Sequence, residues 1–188
     1  MADTESGAPS PFFLAHRDAL EACAQAGPIL DLASGRGRHA LAAAAWGATA
    51  VAVDRDRDKL SWLRARAAAR QLSVDCVLSD LETDLGIPIK PGSCSAILVF
   101  HFLFRPLAPT IETALHPGGL LLYETFTERQ SELASGPRNP AFLLAEGELP
   151  ALFPGLEVIE FEEIVTGGTH PQALARLCAR RGPAGGQA

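Results

Sequence analysis

The sequence of 188 residues has the length and composition of one globular domain, with 47% apolar and 20% charged residues. Its formal net charge of −6 argues against a protein that binds bulk nucleic acid through a broad basic surface. No apolar run approaches the roughly 18 residues of a membrane-spanning helix, and the polar stretch 1–10 lacks the pattern of a signal peptide, so we expect a cytoplasmic protein without a membrane partner.

Apolar periodicity predicts helices and strands that alternate along the chain. Residues 1–10 are expected to be disordered and 182–188 to form a flexible tail, which leaves a single domain over 11–181. A first helix over 11–27 precedes the first strand. The first five predicted strands, in chain order, lie at 28–33, 49–54, 73–80, within 91–103 and at 120–126. The helices between and after them are predicted at 37–47, 55–72, within 105–119 and at 141–153, where Gly147 and Pro150 are candidate positions for a break.

Strands that alternate with helices indicate a parallel sheet with helices on both faces. The last two predicted strands, 156–165 and 173–181, differ because only TGGTHPQ lies between them. No crossover helix fits into that space, so these two strands are predicted to form an antiparallel hairpin. The predicted fold is α/β: a Rossmann-like doubly wound sheet of five parallel strands plus a C-terminal antiparallel hairpin, seven strands in all.

The loop DLASGRGRHA, residues 31–40, carries the strongest functional signal. Ligands of open α/β sheets bind beyond the carboxyl ends of the strands, where the strand order reverses. Gly35 and Gly37 allow a tight turn at that place, and the amide groups that open the next helix face the ligand. Asp54 ends the second strand, where a carboxylate can accept hydrogen bonds from both hydroxyls of a ribose. The loop therefore predicts a ligand with an adenosine-type ribose.

The spacing of Gly35, Gly37 and Ala40 also fits the G-x-G-x-x-A form of a dinucleotide site, so an NAD(P)-dependent oxidoreductase is one alternative. Three features disfavour it. Asp31, ahead of the glycines, suits a cationic or amine-bearing ligand better than a pyrophosphate. Asp80 ends the third strand, where it can meet an adenine amino group. The terminal hairpin is not part of the usual dinucleotide-binding fold.

The stretch ILDLASGRGRHALAAAAWGATAVAVDRD resembles the first motif of the class I S-adenosylmethionine (SAM) dependent methyltransferases. The superfamily pattern is D-x-G-x-G-x-G, and Ala33 replaces its first glycine. LSDLE, residues 78–82, is similar to the adenine-side motif, and LHPGGLLLYETF, residues 115–126, to the turn and fifth strand. Within the superfamily, these strings and the small size look most like the tellurite-resistance-type (TehB-like) methyltransferases.

The resemblance implies SAM as cofactor and S-adenosylhomocysteine (SAH) as product. The glycines let the backbone pass under the methionine part of SAM, Asp31 lies near its amino group, and Asp54 holds the ribose hydroxyls. Residues after the second and third strands flank the adenine, and those that end the fourth strand face the methionine part and the substrate. The expected cofactor-binding residues are Asp31, Ala33, Gly35, Gly37, Asp54, Arg55, Asp80, Leu81 and Phe100. No histidine and cysteine cluster has zinc spacing, so no metal is expected.

His101 and Glu124 are the candidate catalytic residues. His101 ends the fourth strand at the mouth of the predicted site and suits a general base, with a packing histidine as the alternative. Glu124 lies near the end of the fifth strand, at the same rim. Transfer of a methyl group from a sulfonium has a good neutral leaving group, so positioning and desolvation supply much of the rate and a base is not required.

We therefore expect a SAM-dependent methyltransferase that transfers a methyl group to a small-molecule acceptor by in-line displacement. The acceptor pocket is expected between the N-terminal helix, the segment after the fourth strand and the 127–140 segment, which is predicted to be a mobile loop. The [DN]-P-P-[YF] string of nucleobase amino methylation does not follow the fourth strand. The alternative is a catalytically silent protein of the same fold that binds SAM or SAH or serves as a scaffold. The oligomeric state is left open.

Overall fold

A single mixed sheet of seven strands forms the centre of the computed structural model, which describes residues 7–83 and 86–183. The strands are Ile29–Leu32 (β1), Ala50–Asp54 (β2), Val74–Leu78 (β3), Cys94–Phe100 (β4), Leu115–Phe126 (β5), Leu156–Val165 (β6) and Ala173–Arg181 (β7). Their order is β3-β2-β1-β4-β5-β7-β6. Strands β1 to β5 pair in parallel, whereas β7 pairs antiparallel with both β5 and β6. The predicted α/β sheet with its terminal hairpin is confirmed.

Helices cover both faces of this sheet. They are Pro11–Ala15 (α1), Arg17–Cys23 (α2), Arg38–Ala45 (α3), Arg57–Ala69 (α4), Ala108–Ala114 (α5) and Glu148–Ala151 (α6). The central strand β4 is buried along its whole length, as its unbroken apolar run predicts for a strand covered on both sides. Ile97 and Val99 pack with α5 on one face, while Leu98 and Phe100 pack with α1 and α2 on the other, because successive side chains of a strand point to opposite faces.

The helix predicted over 11–27 is divided in the structure. His16 separates α1 from α2, and a short 3-10 turn over Ala24–Ala26 follows α2. The backbone amide of His16 donates to Phe13 O at 3.2 Å, and its ring Nδ1 lies 2.9 Å from Phe12 O. The imidazole thus competes for the carbonyl groups that a continuous helix would use.

The helix predicted over 141–153 is largely wrong, because only α6 and a 3-10 turn over Pro140–Phe142 are helical. Between them, Leu144 is extended along the end of β5. Its amide donates to Phe126 O and its carbonyl accepts from Glu128 N, both at 2.9 Å. Pairing with the sheet satisfies the same backbone groups that a helix would satisfy internally.

Parts of the two predicted flexible ends, 1–6 and 184–188, lie outside the described residues. Ser10 is buried: its hydroxyl accepts from Phe12 N at 3.1 Å and caps α1, and its amide donates to His39 Nε2 at 3.1 Å. Within 7–83 and 86–183, none of the helices is long and apolar enough to cross a membrane.

Candidate active site

The glycine loop between β1 and α3 turns sharply through left-handed backbone conformations. Ala33, Gly35 and Gly37 have φ angles of 51°, 57° and 68°. A Cβ on Gly37 would lie 2.5 Å from Cδ2 of the buried Leu63 in α4, whereas a Cβ on Gly35 would meet nothing within 4 Å. Gly37 is therefore required for packing, and Gly35 borders open space. Ala33 holds a left-handed conformation that costs an L-residue about 1–2 kcal/mol, at the position where the superfamily pattern has glycine.

Asp54 connects the end of β2 to this loop. Its Oδ2 accepts a hydrogen bond from Gly35 N at 2.7 Å, and its Oδ1 accepts one from Asp56 N at 2.8 Å. An ionised carboxylate offers about four lone-pair positions, so these two bonds leave acceptor capacity for two further donors. The side chain is buried and lines a cavity at the edge of the sheet.

Asp31 lies inside β1, directly below the loop. Its side chain is buried, and Oδ2 accepts a hydrogen bond from Ala40 N in the first turn of α3 at 3.1 Å. Burial raises the pKa of the Asp31 carboxyl to about 7, although the Ala40 bond and the charge of Arg38 lower it. A cation that enters next to Asp31 would favour the ionised form.

A first cavity of about 300 Å³ opens at the carboxyl ends of β1 to β4. Its walls include six of the residues predicted from the sequence: Ala33, Asp54, Arg55, Asp80, Leu81 and His101. Lys59, Ser79 and Glu82 also line it and were missed, and Phe102 completes the wall. Each of these is adjacent to a predicted residue in the sequence or one turn away, so proximity along the chain was the available signal. Asp31, Gly35, Gly37 and Phe100 are not part of this wall.

The outer rim of the first cavity is charged. Arg55 Nη1 donates to Glu82 Oε2 at 2.7 Å and lies 4.0 Å from Asp80 Oδ1. Asp80 Oδ1 also accepts from Glu82 N at 3.0 Å. The Arg55 side chain is 64% exposed, so this ion pair is a solvated one that contributes about 0–1 kcal/mol to stability.

His101 lies at the point where β4 ends and the chain leaves the sheet. Its φ of 57° is uncommon for a residue with a side chain, and its amide donates to Glu124 O at 2.8 Å. The imidazole stacks on the ring of Phe126, with 4.8 Å between centroids. Burial, followed by the charge of Arg38, lowers the pKa of His101, and Glu124 raises it. The ring is therefore neutral near pH 7 and can accept a proton.

Phe100 lies on the sheet face under α1, and Glu124 is its register partner on β5. Neither residue lines the first cavity. Glu124 is buried, and its Oε1 is 4.0 Å from His101 Nε2. The ring of Phe100 packs 3.9 Å, centroid to centroid, from that of His39. Burial and the charge of Arg38 hold the pKa of His39 far below its ordinary value, so His39 is a neutral packing residue here.

A second cavity of about 300 Å³ adjoins the first. The two share three lining residues, Glu82, His101 and Phe102. The remaining walls of the second cavity are Leu103, Thr125, Phe126, Pro137 and Phe142. Pro137 belongs to the 127–140 segment, which was expected to border the acceptor pocket. Phe142 belongs to the stretch predicted as a helix, so its contribution was not foreseen, and none of the described residues of the expected N-terminal helix lines this cavity. Among the described residues, no group of three or more His, Cys, Asp and Glu side chains is placed to hold a metal ion.

Residues 29–119 match a family model described as a methyltransferase domain. Just under half of the chain is therefore similar to methyltransferase domains. The match spans β1, the glycine loop and the sheet as far as the first residues of β5. No curated protein matches the sequence.

Several solved structures share the fold of this chain. TehB from Haemophilus influenzae is 17% identical, with a TM-score of 0.71 over 87% of this chain and 62% of that one. A SAM-dependent methyltransferase from Mesorhizobium loti is 19% identical, with a TM-score of 0.69 over 89% of this chain and 98% of that one. Geranyl diphosphate C-methyltransferase from Streptomyces coelicolor, solved with Mg²⁺, geranyl diphosphate and SAH, is 14% identical, with a TM-score of 0.64 over 89% and 80%. TehB is no more similar to this chain than the Mesorhizobium loti enzyme is. The narrower resemblance to tellurite-resistance-type methyltransferases is therefore weak.

Proposed function

We propose that this protein transfers the methyl group of SAM to a small-molecule acceptor, with SAM in the first cavity and the acceptor in the second. This proposal rests on the observation that the two cavities meet at Glu82, His101 and Phe102. A displacement in line needs the reacting atoms to be in contact and aligned. Two adjoining cavities with a common wall meet that requirement, and their size suits small ligands.

The walls of the first cavity suit the ribose and adenine parts of SAM, and the methionine part would extend beyond these walls toward Gly35 and Asp31. The unused acceptor positions of Asp54 suit the ribose hydroxyls, and Asp80 with Leu81 and Arg55 suits the adenine end. Asp31, wholly buried and partly neutral near pH 7, suits the amino group of the methionine part, to which it would give up its proton. The open space beside Gly35 lets this part pass close to the backbone. SAM, when bound, supplies a methyl group on a positively charged sulfur.

His101 is the residue that we assign to proton transfer. It borders both cavities, and its lowered pKa leaves the imidazole free to accept the proton of an acceptor hydroxyl or thiol. Glu124 lines neither cavity, so its proposed role is to act through His101. Its Oε1 lies 4.0 Å from Nε2 and would stabilise the imidazolium that forms.

Calorimetric titration with SAM and SAH tests the cofactor part of this proposal. We expect micromolar binding to the wild type and at least a tenfold loss in Asp54→Ala, because hydrogen bonds to a charged group contribute about 1.5–3 kcal/mol each. Asp58→Ala is the matched control, since this carboxylate is exposed on α4. Folded wild-type protein that binds neither compound would overturn the proposal.

A further inference from the structure

We infer that the second cavity takes a flat aromatic acceptor with one hydroxyl or thiol group, which points toward His101. This inference rests on the proposed function, since it names the class of acceptor that the same site would methylate. It depends on three observations: the chemistry of the cavity wall, the way in which that wall is held, and the position of the only imidazole in it.

The wall of the second cavity is mostly apolar and contains three aromatic rings, Phe102, Phe126 and Phe142. Phe142 is 45% exposed, so a ligand that covers it would remove apolar surface from water. Rings of this kind favour offset or edge contacts with another ring, which add about 0.5–1.5 kcal/mol beyond the buried area. A strongly polar acceptor would lose its hydration against these rings without gaining partners from them.

Apart from Thr125, the polar side chains of the cavity belong to one side of it. Glu82 and His101 belong to the wall that is shared with the first cavity. An aromatic acceptor with a single polar atom can therefore lie against the phenyl rings and direct that atom toward the first cavity. The volume of about 300 Å³ is at the lower end of the range of about 300–1,000 Å³ for small-molecule sites, which excludes long or multiply branched acceptors.

The segment that carries Pro137 and Phe142 is tied down before any ligand binds. Arg105 forms an ion pair with Glu148 and donates to Leu143 O at 2.8 Å and Ala141 O at 3.2 Å. A wall fixed in this way favours a rigid, preorganised fit over closure around a flexible ligand.

Hydrogen bonds of Gln130 form a second anchor for the same segment. The buried side chain of Gln130 donates to Ser135 O at 2.6 Å and accepts from Ala173 N at 2.7 Å. It therefore joins the segment to the first residue of β7. Two independent anchors on one wall support a cavity of constant shape, for which a planar ring system is the simplest occupant.

The reaction that follows is balanced in atoms and charge. The acceptor oxygen or sulfur forms a bond to the methyl carbon as the carbon–sulfur bond of SAM breaks and its electron pair stays on the sulfur of SAH. The acceptor proton passes to the His101 imidazole, which later releases it to water. The products are a methyl ether or thioether, SAH and one proton.

Transfer of a labelled methyl group from SAM to four probes tests the inference: 2-naphthol, 2-naphthalenethiol, cyclohexanethiol and glycerol. We expect the two aromatic probes to be methylated at least tenfold more efficiently, in kcat/KM, than the other two. Phe142→Ala should raise KM for 2-naphthol about tenfold, since it removes an aromatic contact and buried area. The Kd for SAM should not change. Leu14→Ala, a similarly exposed apolar residue on α1, is the matched control.

The inference is overturned if the protein binds SAM but methylates the aliphatic probes as well as the aromatic ones, or none of the four. It is also overturned if Phe142→Ala leaves KM for 2-naphthol unchanged. Failure of the proposed function is a separate result, because it would appear as a lack of SAM and SAH binding before any acceptor is added.

Discussion

Arg176 on β7 donates a hydrogen bond to Glu124 on β5, with 2.6 Å between Nε and Oε2. The two residues are directly opposite in the antiparallel register, and only 14% and 3% of their side chains are exposed. Arg176 also donates to Glu162 on β6 at 2.9 Å. Because Glu124 is 4.0 Å from His101 Nε2, the terminal hairpin supplies the cation that balances a carboxylate next to the proposed base.

Removal of this cation is expected to destabilise the fold. Arg176→Met should lower the free energy of unfolding by about 3–5 kcal/mol, because it leaves the Glu124 carboxylate buried without its partner. Adding Glu124→Gln should recover much of the loss, since the buried carboxylate is then neutral and Glu162, 40% exposed, is solvated. Urea unfolding of the two single variants and the double variant measures both effects. Additive losses would contradict the pairing.

The two loop glycines are expected to respond differently to alanine. Gly37→Ala should cost more than 2 kcal/mol of unfolding free energy, because it combines left-handed strain of about 1–2 kcal/mol with overpacking of about 1–3 kcal/mol against Leu63. Gly35→Ala should carry the strain alone. Thermal or urea unfolding compares the two variants.

For the affinity for SAM, the larger loss is expected from Gly35→Ala and not from Gly37→Ala. The methyl group of Gly35→Ala projects into space that is open in the structure and that the proposal gives to the cofactor, so calorimetry should show weaker binding. Folded Gly37→Ala should keep its affinity. Equal effects of both substitutions on affinity would contradict this assignment of the open space.

Much of the fold could be predicted because the local pattern and the final structure agree. The run SAILVF gives a strand buried on both faces, and the short TGGTHPQ connection forces the hairpin of β6 and β7. The prediction over 141–153 was wrong because the apolar spacing of this segment fits a helix. Its backbone bonds instead go to the end of β5 and to Arg105, and such long-range partners leave no trace in local periodicity.

In the site too, residues fixed by the local pattern could be predicted, whereas those placed by long-range contacts could not. Asp54, Asp80 and His101 could be located because the carboxyl ends of parallel strands meet at one edge of the sheet. Phe142 could not, since it enters the second cavity from a segment far along the chain. Phe100 precedes His101 in the sequence but lies under α1 against His39, because neighbours in a strand point to opposite faces and His101 leaves the strand with a left-handed φ.

Asp31 should make stability depend on pH. Its folded pKa of about 7 is above the unfolded value of about 3.9, so between these values the unfolded chain loses the proton first and the folded state becomes relatively less stable as pH rises. Asp31→Asn lacks this penalty. The stability of Asp31→Asn relative to wild type should therefore increase by a few kcal/mol between about pH 4 and 7 and be constant above that range.

Urea unfolding at a series of pH values measures this difference. Asp75→Asn on β3 is the control, because Asp75 is exposed and its substitution should follow the wild type across the range. A difference between Asp31→Asn and wild type that does not vary with pH would show that Asp31 is ionised in the folded protein throughout.

His101 should give methyl transfer a pH dependence that differs between acceptors. Because its pKa is lowered, kcat for 2-naphthol should fall only at pH values below the ordinary histidine value of about 6.5. His101→Asn should lower kcat for 2-naphthol about 100-fold, the smaller end of general-base effects, with a smaller effect on the Kd for SAM, whose cavity His101 also lines. For an aromatic thiol, which is more acidic than a phenol, the same substitution should lower kcat less.

The comparison of oxygen and sulfur acceptors separates a base from a packing histidine. Loss of a merely structural ring would reduce transfer to 2-naphthol and 2-naphthalenethiol by the same factor. His116→Asn is the control, since His116 is exposed near the start of β5, at the opposite end of that strand. If His101→Asn keeps the acidic limb of the pH profile, the proton goes elsewhere, and positioning by the two cavities accounts for the rate.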